Sequence, residues 1–249
     1  TTYINTSGEP LCKQHYIKAG RCKFIRNNTM TETDLIFNWH VLKGDKTLKR
    51  AFKRSKINDI LDYQKDQLDN ALLYCNHFRH GIDIGANYGI MSANMSKVFE
   101  KVSAFEIVSD INKCFKMNTK KFNLKNIDIY DCGIGDKEQI VSLNFNPQST
   151  FSTHVNLNHD SNKVLVKPLD SFDFDNVDFI KIDAEGFEPF IIQGGLKTIK
   201  KYLPVILYER KGHESRYGFP KSSVLDILSK YGYKELDNIG SKNALIGVV

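Results

Sequence analysis

Residues 81–89 read GIDIGANYG: a short apolar run interrupted by Asp83, then glycines at 85 and 89. The run reads as a strand, and Gly85 and Gly89 as a tight turn into a helix. Glycine suits such a turn because no side chain then stands between the backbone and a close ligand. The start of the helix offers free N–H groups and a partial positive charge, suited to a carboxylate. Ala86, Asn87 and Tyr88 separate the two glycines, so the pattern is GxxxG and not the GxGxxG of dinucleotide-binding turns. A ligand smaller than a pyrophosphate is expected.

Downstream, strand and helix patterns alternate. Strands are expected at 81–84, 102–105, 127–130, 177–182 and 204–208. Helices are expected at 88–99, 110–122, 187–202 (broken at Gly194-Gly195) and 222–231. A hairpin-like insert, 140–145 with 164–166, follows the third strand, and strands at 234–236 and 244–249 close the chain. The pattern implies an α/β fold: a doubly wound, mostly parallel seven-stranded sheet with helices on both faces. Ligands of such sheets bind at the carboxyl ends of the strands, where the strand order reverses.

Upstream, the chain reads differently. Residues 1–58 hold 12 Lys/Arg against 4 Asp/Glu, whereas residues 81–249 hold 21 of each. The basic balance therefore belongs to a lead-in over 1–75, set against a catalytic domain over 76–249. Residues 33–42 (TDLIFNWHVL) read as one strand, and 46–56 (KTLKRAFKRSK) as a helix. On that helix Lys46, Lys49, Arg50, Lys53, Arg54 and Lys56 fall within an arc of about 160°. A second helix is expected over 56–74, burying Ile57, Ile60, Leu61, Leu68, Leu72 and Leu73.

Composition narrows the class. Hydrophobic content of 41% and charged content of 26% suit a globular protein. Runs such as 190–192 or 204–208 fall far short of the ~20 apolar residues of a membrane span. The first residues carry neither a signal-peptide pattern nor an initiator Met, as in a processed chain or an excised domain. Five dispersed cysteines (Cys12, Cys22, Cys75, Cys114, Cys132) form no disulfide framework, which suits a reducing, cytoplasmic setting. A zinc reading of Cys12, His15 and Cys22 lacks a fourth ligand, so ordinary thiols and no metal are expected.

The other strand ends carry acids. Glu106 lies 21 residues after Gly85, where a carboxylate can take both hydroxyls of a ribose. Asp131 follows the third strand, suited to an adenine amino group or to a simple turn. In VDFIKIDAEGFE (177–188), an apolar strand interrupted by Lys181 delivers Asp183 and Glu185 to the same crevice. Two carboxylates there are costly unless paired or used; capping of the following helix is the plainer alternative.

GIDIGANYG, then FE, DCGIGD, LDSF and VDFIKIDAEGFEPFIIQGGLKTIKKYLPVILYE together resemble the FkbM family of methyltransferases over about 80–209. The KIDAEGFE stretch is the specific part. Arg210-Lys211 follow the final glutamate where the family often has a histidine, and His213 is displaced. The resemblance implies a class I, Rossmann-like methyltransferase fold and S-adenosylmethionine as cofactor. It implies O-methylation of an alcohol, often on a sugar or a polyketide. Asp83, Gly85, Asn87 and Gly89 would then hold the methionine end, Glu106 the ribose and Asp131 the adenine. Asp183 and Glu185 would border the methyl group, with Glu209 across the cleft. Asp183, Glu209 and His213 are the candidate bases.

Two other functions remain open. One is ribose 2′-O-methylation of RNA, with Lys46, Lys49, Arg50, Lys53 and Arg54 on phosphates. Its usual Lys-Asp-Lys-Glu tetrad would need Lys56 or Lys65 and Lys211 beside Asp183 and Glu209. The other is a non-catalytic module that keeps a methyltransferase fold.

Overall fold

The computed structural model describes residues 31–55, 59–157, 162–237 and 242–248. Cys12, His15, Cys22, Lys56 and Ile57 lie outside them.

The described residues begin with a hairpin, β1 (Thr33–Ile36) and β2 (Trp39–Leu42), where one strand was expected. Phe37 and Asn38 both take left-handed backbone (φ 48° and 66°), the geometry of a two-residue hairpin turn. α1 (Thr47–Ser55) follows. The expected second helix is two pieces. Ile60–Asp62 is a 3-10 turn capped by Asp59, and Gln64 is left-handed (φ 57°) before α2 (Lys65–Leu72) begins. The break changes which residues are covered: Ile60, Leu68 and Ala71 are buried, while Leu73 is 81% exposed.

The alternating part then runs β3 (His80–Ile84), α3 (Ile90–Met95), β4 (Lys101–Phe105), α4 (Ser109–Lys121) and β5 (Ile127–Tyr130). The insert contributes β6 (Gly133–Ile134), β7 (Gln139–Asn144), β8 (His154–Asn156) and β9 (Lys163–Lys167). β10 (Val177–Ile182), α5 (Glu188–Gly194), α6 (Leu196–Tyr202) and β11 (Val205–Glu209) follow. α7 (Ser223–Leu228), β12 (Tyr233–Asp237) and β13 (Asn243–Val248) end the described chain.

Seven strands form the main sheet in the order β12-β13-β11-β10-β3-β4-β5. β5, β4, β3, β10 and β11 run parallel, and β13 is antiparallel between β11 and β12. The core strands β3 and β11 are buried at every position, as strands covered on both faces must be. The order reverses between β3 and β10, and a crevice opens there at their carboxyl ends. The insert is a separate four-stranded sheet, β6-β9-β7-β8, more than the hairpin expected.

The hairpin is bound to the glycine turn. Trp39 is buried, stacks on Phe122 at 4.7 Å, and its Nε1 donates to the Tyr88 carbonyl at 2.8 Å. Asn118 donates to the carbonyls of both His40 and Tyr88. Buried Asp45 accepts from the Tyr88 hydroxyl at 2.7 Å and from Thr150 Oγ1 at 2.8 Å. That one carboxylate joins lead-in, glycine turn and insert.

Tyr88→Phe removes a donor to Asp45 and an acceptor for the Leu42 amide. A loss of about 1–3 kcal/mol is expected, the usual cost of buried polar groups left unpaired. Urea unfolding followed by fluorescence of the single tryptophan, Trp39, measures it.

Candidate active site

Gly85 and Gly89 start from backbone geometry. Both are left-handed (φ 79° and 86°). A Cβ on Gly85 would stand 1.9 Å from the Asp183 carbonyl oxygen, and one on Gly89 would stand 2.0 Å from the Phe115 ring. The absent side chains thus make room for neighbouring protein, and the demand for glycine comes from the fold. Asn87, also left-handed (φ 51°), completes the turn. The amides of Gly85 and Ala86 donate to the Phe105 carbonyl, which ties the turn to the end of β4.

Beneath the turn lies a charged pair. Asp83 and Lys181 face each other across β3 and β10, with Lys181 Nζ 3.3 Å from Asp83 Oδ1 and 3.9 Å from Asp183 Oδ2. Lys181 also donates to the Gly85 carbonyl, and Ser92 Oγ donates to Asp83 Oδ2 at 2.5 Å. Burial alone would lower the Lys181 ammonium. Asp83 and Asp183 outweigh it and hold the group above its ordinary range.

A cleft above the turn encloses about 1140 Å³ with its open mouth. At one end, Gly85, Ala86, Asn87, Glu106, Ile107 and Gly133 line it. Glu106 is buried. Its Oε2 accepts from the Asn87 amide and its Oε1 from the Val108 amide, both at 2.8 Å. Burial pushes its carboxyl up to about 7 against the pull of those two amides. Each oxygen keeps a lone pair for a hydroxyl. A backbone turn, a buried carboxylate and the apolar wall of Ile107 fit a nucleoside-bearing cofactor.

At the other end stand Asp183, Glu185, Glu209 and Lys211. Glu185 is left-handed (φ 52°), an unusual backbone for a residue with a side chain. The Arg216 guanidinium, donating to the Glu185 carbonyl at 2.7 Å, holds it there. Glu209 ends β11 and pairs with the Lys211 ammonium. Burial, then the charges of Asp183 and Glu185, push the Glu209 carboxyl well above the usual carboxylate range. Lys211, also 3.5 Å from Glu185 Oε1, is held above its ordinary range by these acids although burial opposes it. His213 Nδ1 lies 2.8 Å from Glu185 Oε2.

Of the residues expected from sequence, Gly85, Asn87, Glu106, Asp183, Glu185 and Glu209 line one cleft. Asp83, Gly89, Asp131 and His213 are not among its lining residues. Asp83 is fully buried below the turn, Gly89 faces Phe115, and Asp131 accepts from Asn112 Nδ2. His213 stands behind Glu185. Lys65 is committed to Asp69 on the exposed face of α2, away from this group.

The sequence reading missed Tyr63, Phe151, Thr153 and His154, which wall the cleft from the break before α2 and from the insert. Nothing in their local pattern marks them. The Tyr63 hydroxyl is pushed up to about 12, by burial first and then by Asp183, so it stays a hydrogen-bond donor. Among the described residues no helix is long and apolar enough to cross a membrane, and Cys75 and Cys114 are free thiols.

The family model for the methyltransferase FkbM domain matches residues 83–235, more than half of the chain. No curated protein matches its sequence. Solved structures similar to it include the methyltransferase FkbM from Methylobacillus flagellatus KT, at 18% identity and a TM-score of 0.49. That match covers 68% of this chain and 43% of the other, so the present chain spans less than half of that protein. A SAM dependent methyltransferase from Aquifex aeolicus is 14% identical, with 81% and 98% of the two chains covered and a TM-score of 0.45. An rRNA methylase from Streptococcus thermophilus is 12% identical, with 73% and 92% covered and a TM-score of 0.44.

Glu188 offers a test of the loop that carries Asp183 and Glu185. It is 1% exposed, its Oε1 accepts from the Ala184 amide at 2.9 Å, and burial pushes its carboxyl up to about 8. The folded state therefore holds a proton that the unfolded chain releases near its ordinary 4.5. Stability from this group is fully present below that value and is lost as pH rises towards about 8. Glu188→Gln, neutral throughout, should flatten this fall and be more stable than the parent at pH 8.5 by about 2–4 kcal/mol. Urea titrations of both proteins at pH 5 and 8.5 give the comparison.

Proposed function

The chain belongs to the methyltransferase FkbM family and its cofactor is S-adenosylmethionine; on that premise we propose that it methylates a hydroxyl oxygen of a sugar, glycan or small-molecule acceptor. The observation that carries this reading is the group Asp183, Glu185, Glu209 and Lys211, gathered in the same cleft as the glycine turn and Glu106. A hydroxyl must lose its proton to become a good nucleophile, and this end of the cleft holds the acids that can take it. We further propose residues 76–249 as the catalytic domain, with residues 1–75 as its lead-in.

When bound, S-adenosylmethionine supplies an electrophilic methyl carbon and a sulfur leaving group that takes the electron pair of the broken C–S bond. The backbone of Gly85–Asn87 and the Glu106 carboxylate would hold the cofactor. Asp183, at the tip of β10 beside the turn, accepts the proton of the acceptor hydroxyl. Its rivals are otherwise engaged: Glu209 pairs with the Lys211 ammonium, and His213 is turned to Glu185. Glu185 and Lys211 orient the acceptor by hydrogen bonds. Tyr63, Phe151 and His154 form the wall against which it lies. Holding the oxygen close to the methyl carbon is worth up to ~7–11 kcal/mol, and the base adds about 10²–10⁴-fold.

RNA is the second reading. Lys46, Lys49, Arg50, Lys53 and Arg54 are all exposed on or just before α1. The opposite face of α1 packs Phe52 against Tyr63, a residue of the cleft wall. A transfer screen with labelled cofactor against glycans, small alcohols and capped RNA separates the classes. Methylation of RNA alone would overturn the first reading.

Two variants should separate binding from chemistry. Glu106→Ala is expected to weaken calorimetric affinity for S-adenosylmethionine by about 1.5–3 kcal/mol per hydrogen bond lost. Asp183→Asn should leave that affinity near the parent value and lower turnover by about 10²–10⁴-fold. Full turnover in Asp183→Asn removes this residue as the base.

A further inference from the structure

Glu185, Glu209 and His213 come from three separate places: the turn after β10, the last residue of β11, and the 3-10 turn at His213–Tyr217. One ligand atom from each nevertheless lies within 4.8 Å of the other two. The two carboxylates are 8% and 6% exposed. Glu209 Oε2 is buried and has no hydrogen-bond partner. His213 Nδ1 is likewise buried without an aligned hydrogen bond, although Glu185 Oε2 stands only 2.8 Å away. Possible ligand atoms on three side chains thus converge on one point.

Asp83 and Lys181 pair below the turn, so Asp183, Glu185 and Glu209 are the acids of this end, with Lys211 beside the last two and the Arg216 guanidinium on the Glu185 carbonyl. Buried charges are kept only when paired or coordinated.

We propose that Glu185, Glu209 and His213 bind a divalent metal ion of the Mn²⁺ class at the acceptor end of the cleft. Two carboxylate oxygens and one imidazole nitrogen are a donor set for such an ion. Three protein ligands leave coordination positions open, as in sites that bind substrate on the metal. Lys211, whose side chain is 32% exposed, holds the carboxylates in the metal-free protein and turns outward when the ion enters. The chemical role of the ion rests on the methyl-transfer reading; its binding does not. On the metal, an acceptor hydroxyl gives up its proton more readily. The proton passes to Asp183, the oxygen lone pair forms the new O–C bond, and the C–S pair leaves with sulfur. Two neighbouring hydroxyls would chelate the ion, which selects vicinal diols.

Mn²⁺ alone is the probe, added to the full chain after treatment with EDTA and followed by electron paramagnetic resonance and calorimetry. One equivalent should bind at sub-millimolar concentration. His213→Ala and Glu185→Gln should each weaken binding about tenfold or more, and Lys211→Met should tighten it. Circular dichroism of each variant checks folding, and His213, only partly buried, is the safer change. Absence of binding by the parent at millimolar Mn²⁺, or parent-like binding by folded His213→Ala and Glu185→Gln, overturns the proposal. Mn²⁺ binding without transfer to any hydroxyl acceptor keeps the metal site and refutes the methyl-transfer reading. Transfer that is equal in EDTA and in Mn²⁺, with no Mn²⁺ bound, does the reverse.

Discussion

The Lys181–Asp83 pair sits directly under the point where the strand order reverses, and the site is built on it. A lysine in a buried parallel strand is tolerable only with a counter-charge, since removing one partner of a buried pair typically costs about 3–5 kcal/mol. Asp83 is that counter-charge, opposite it in register on the neighbouring strand. The same ammonium reaches the Gly85 carbonyl and stands near Asp183, so it touches both chain segments that leave the sheet at the crevice. Ser92, bonded to Asp83, extends the connection into α3. One cation therefore fixes the glycine turn relative to the acids that follow β10. That spacing is so close that a Cβ on Gly85 would stand 1.9 Å from the Asp183 carbonyl oxygen.

A second carboxylate does for the walls what Lys181 does for the floor. Asp45 accepts hydrogen bonds from Tyr88 in the glycine turn and from Thr150 in the insert, while its Oδ1 accepts from Thr47 at the start of α1. The segments that enclose the cleft are otherwise distant in sequence. Tyr63 and Phe151, 5.9 Å apart by ring centroids, meet because those anchors bring them together. Part of the cleft wall thus comes from a part of the chain outside the strand–helix repeat.

What could be read in the sequence follows from this division. The central strands were legible because a parallel strand buried on both faces must be a contiguous apolar run. Asp83 and Lys181 stood out as interruptions. The acids at the strand ends were legible because topology alone brings those ends to one edge. The hairpin at 33–42 was not, since Phe37-Asn38 lacks the glycine that usually signals a two-residue turn. Nor was the break at Gln64, which takes a left-handed backbone although it is neither Gly nor Asn. The glycine turn was found for an incomplete reason: its neighbours are Asp183 and Phe115, known only once the chain is folded. Tyr63, Phe151 and His154 carry no local signature, because their place in the cleft depends on contacts far along the chain.

The electrostatics of the cleft bear on the acceptor. At the reacting end the acids outnumber the lysines, and Lys181 is already taken by Asp83 and Asp183. A phosphate close to the reacting oxygen would meet Asp183 and Glu185 at short range in a partly buried place, where like charges repel more strongly than in water. The basic residues of α1 are exposed and lie beyond the Phe52–Tyr63 contact, so salt screens what they offer. Neutral hydroxyls face no such penalty. They can donate to the carboxylates, accept from Lys211 and stack against Tyr63 and Phe151. The charge pattern thus supports the proposed hydroxyl acceptor over a polyanion.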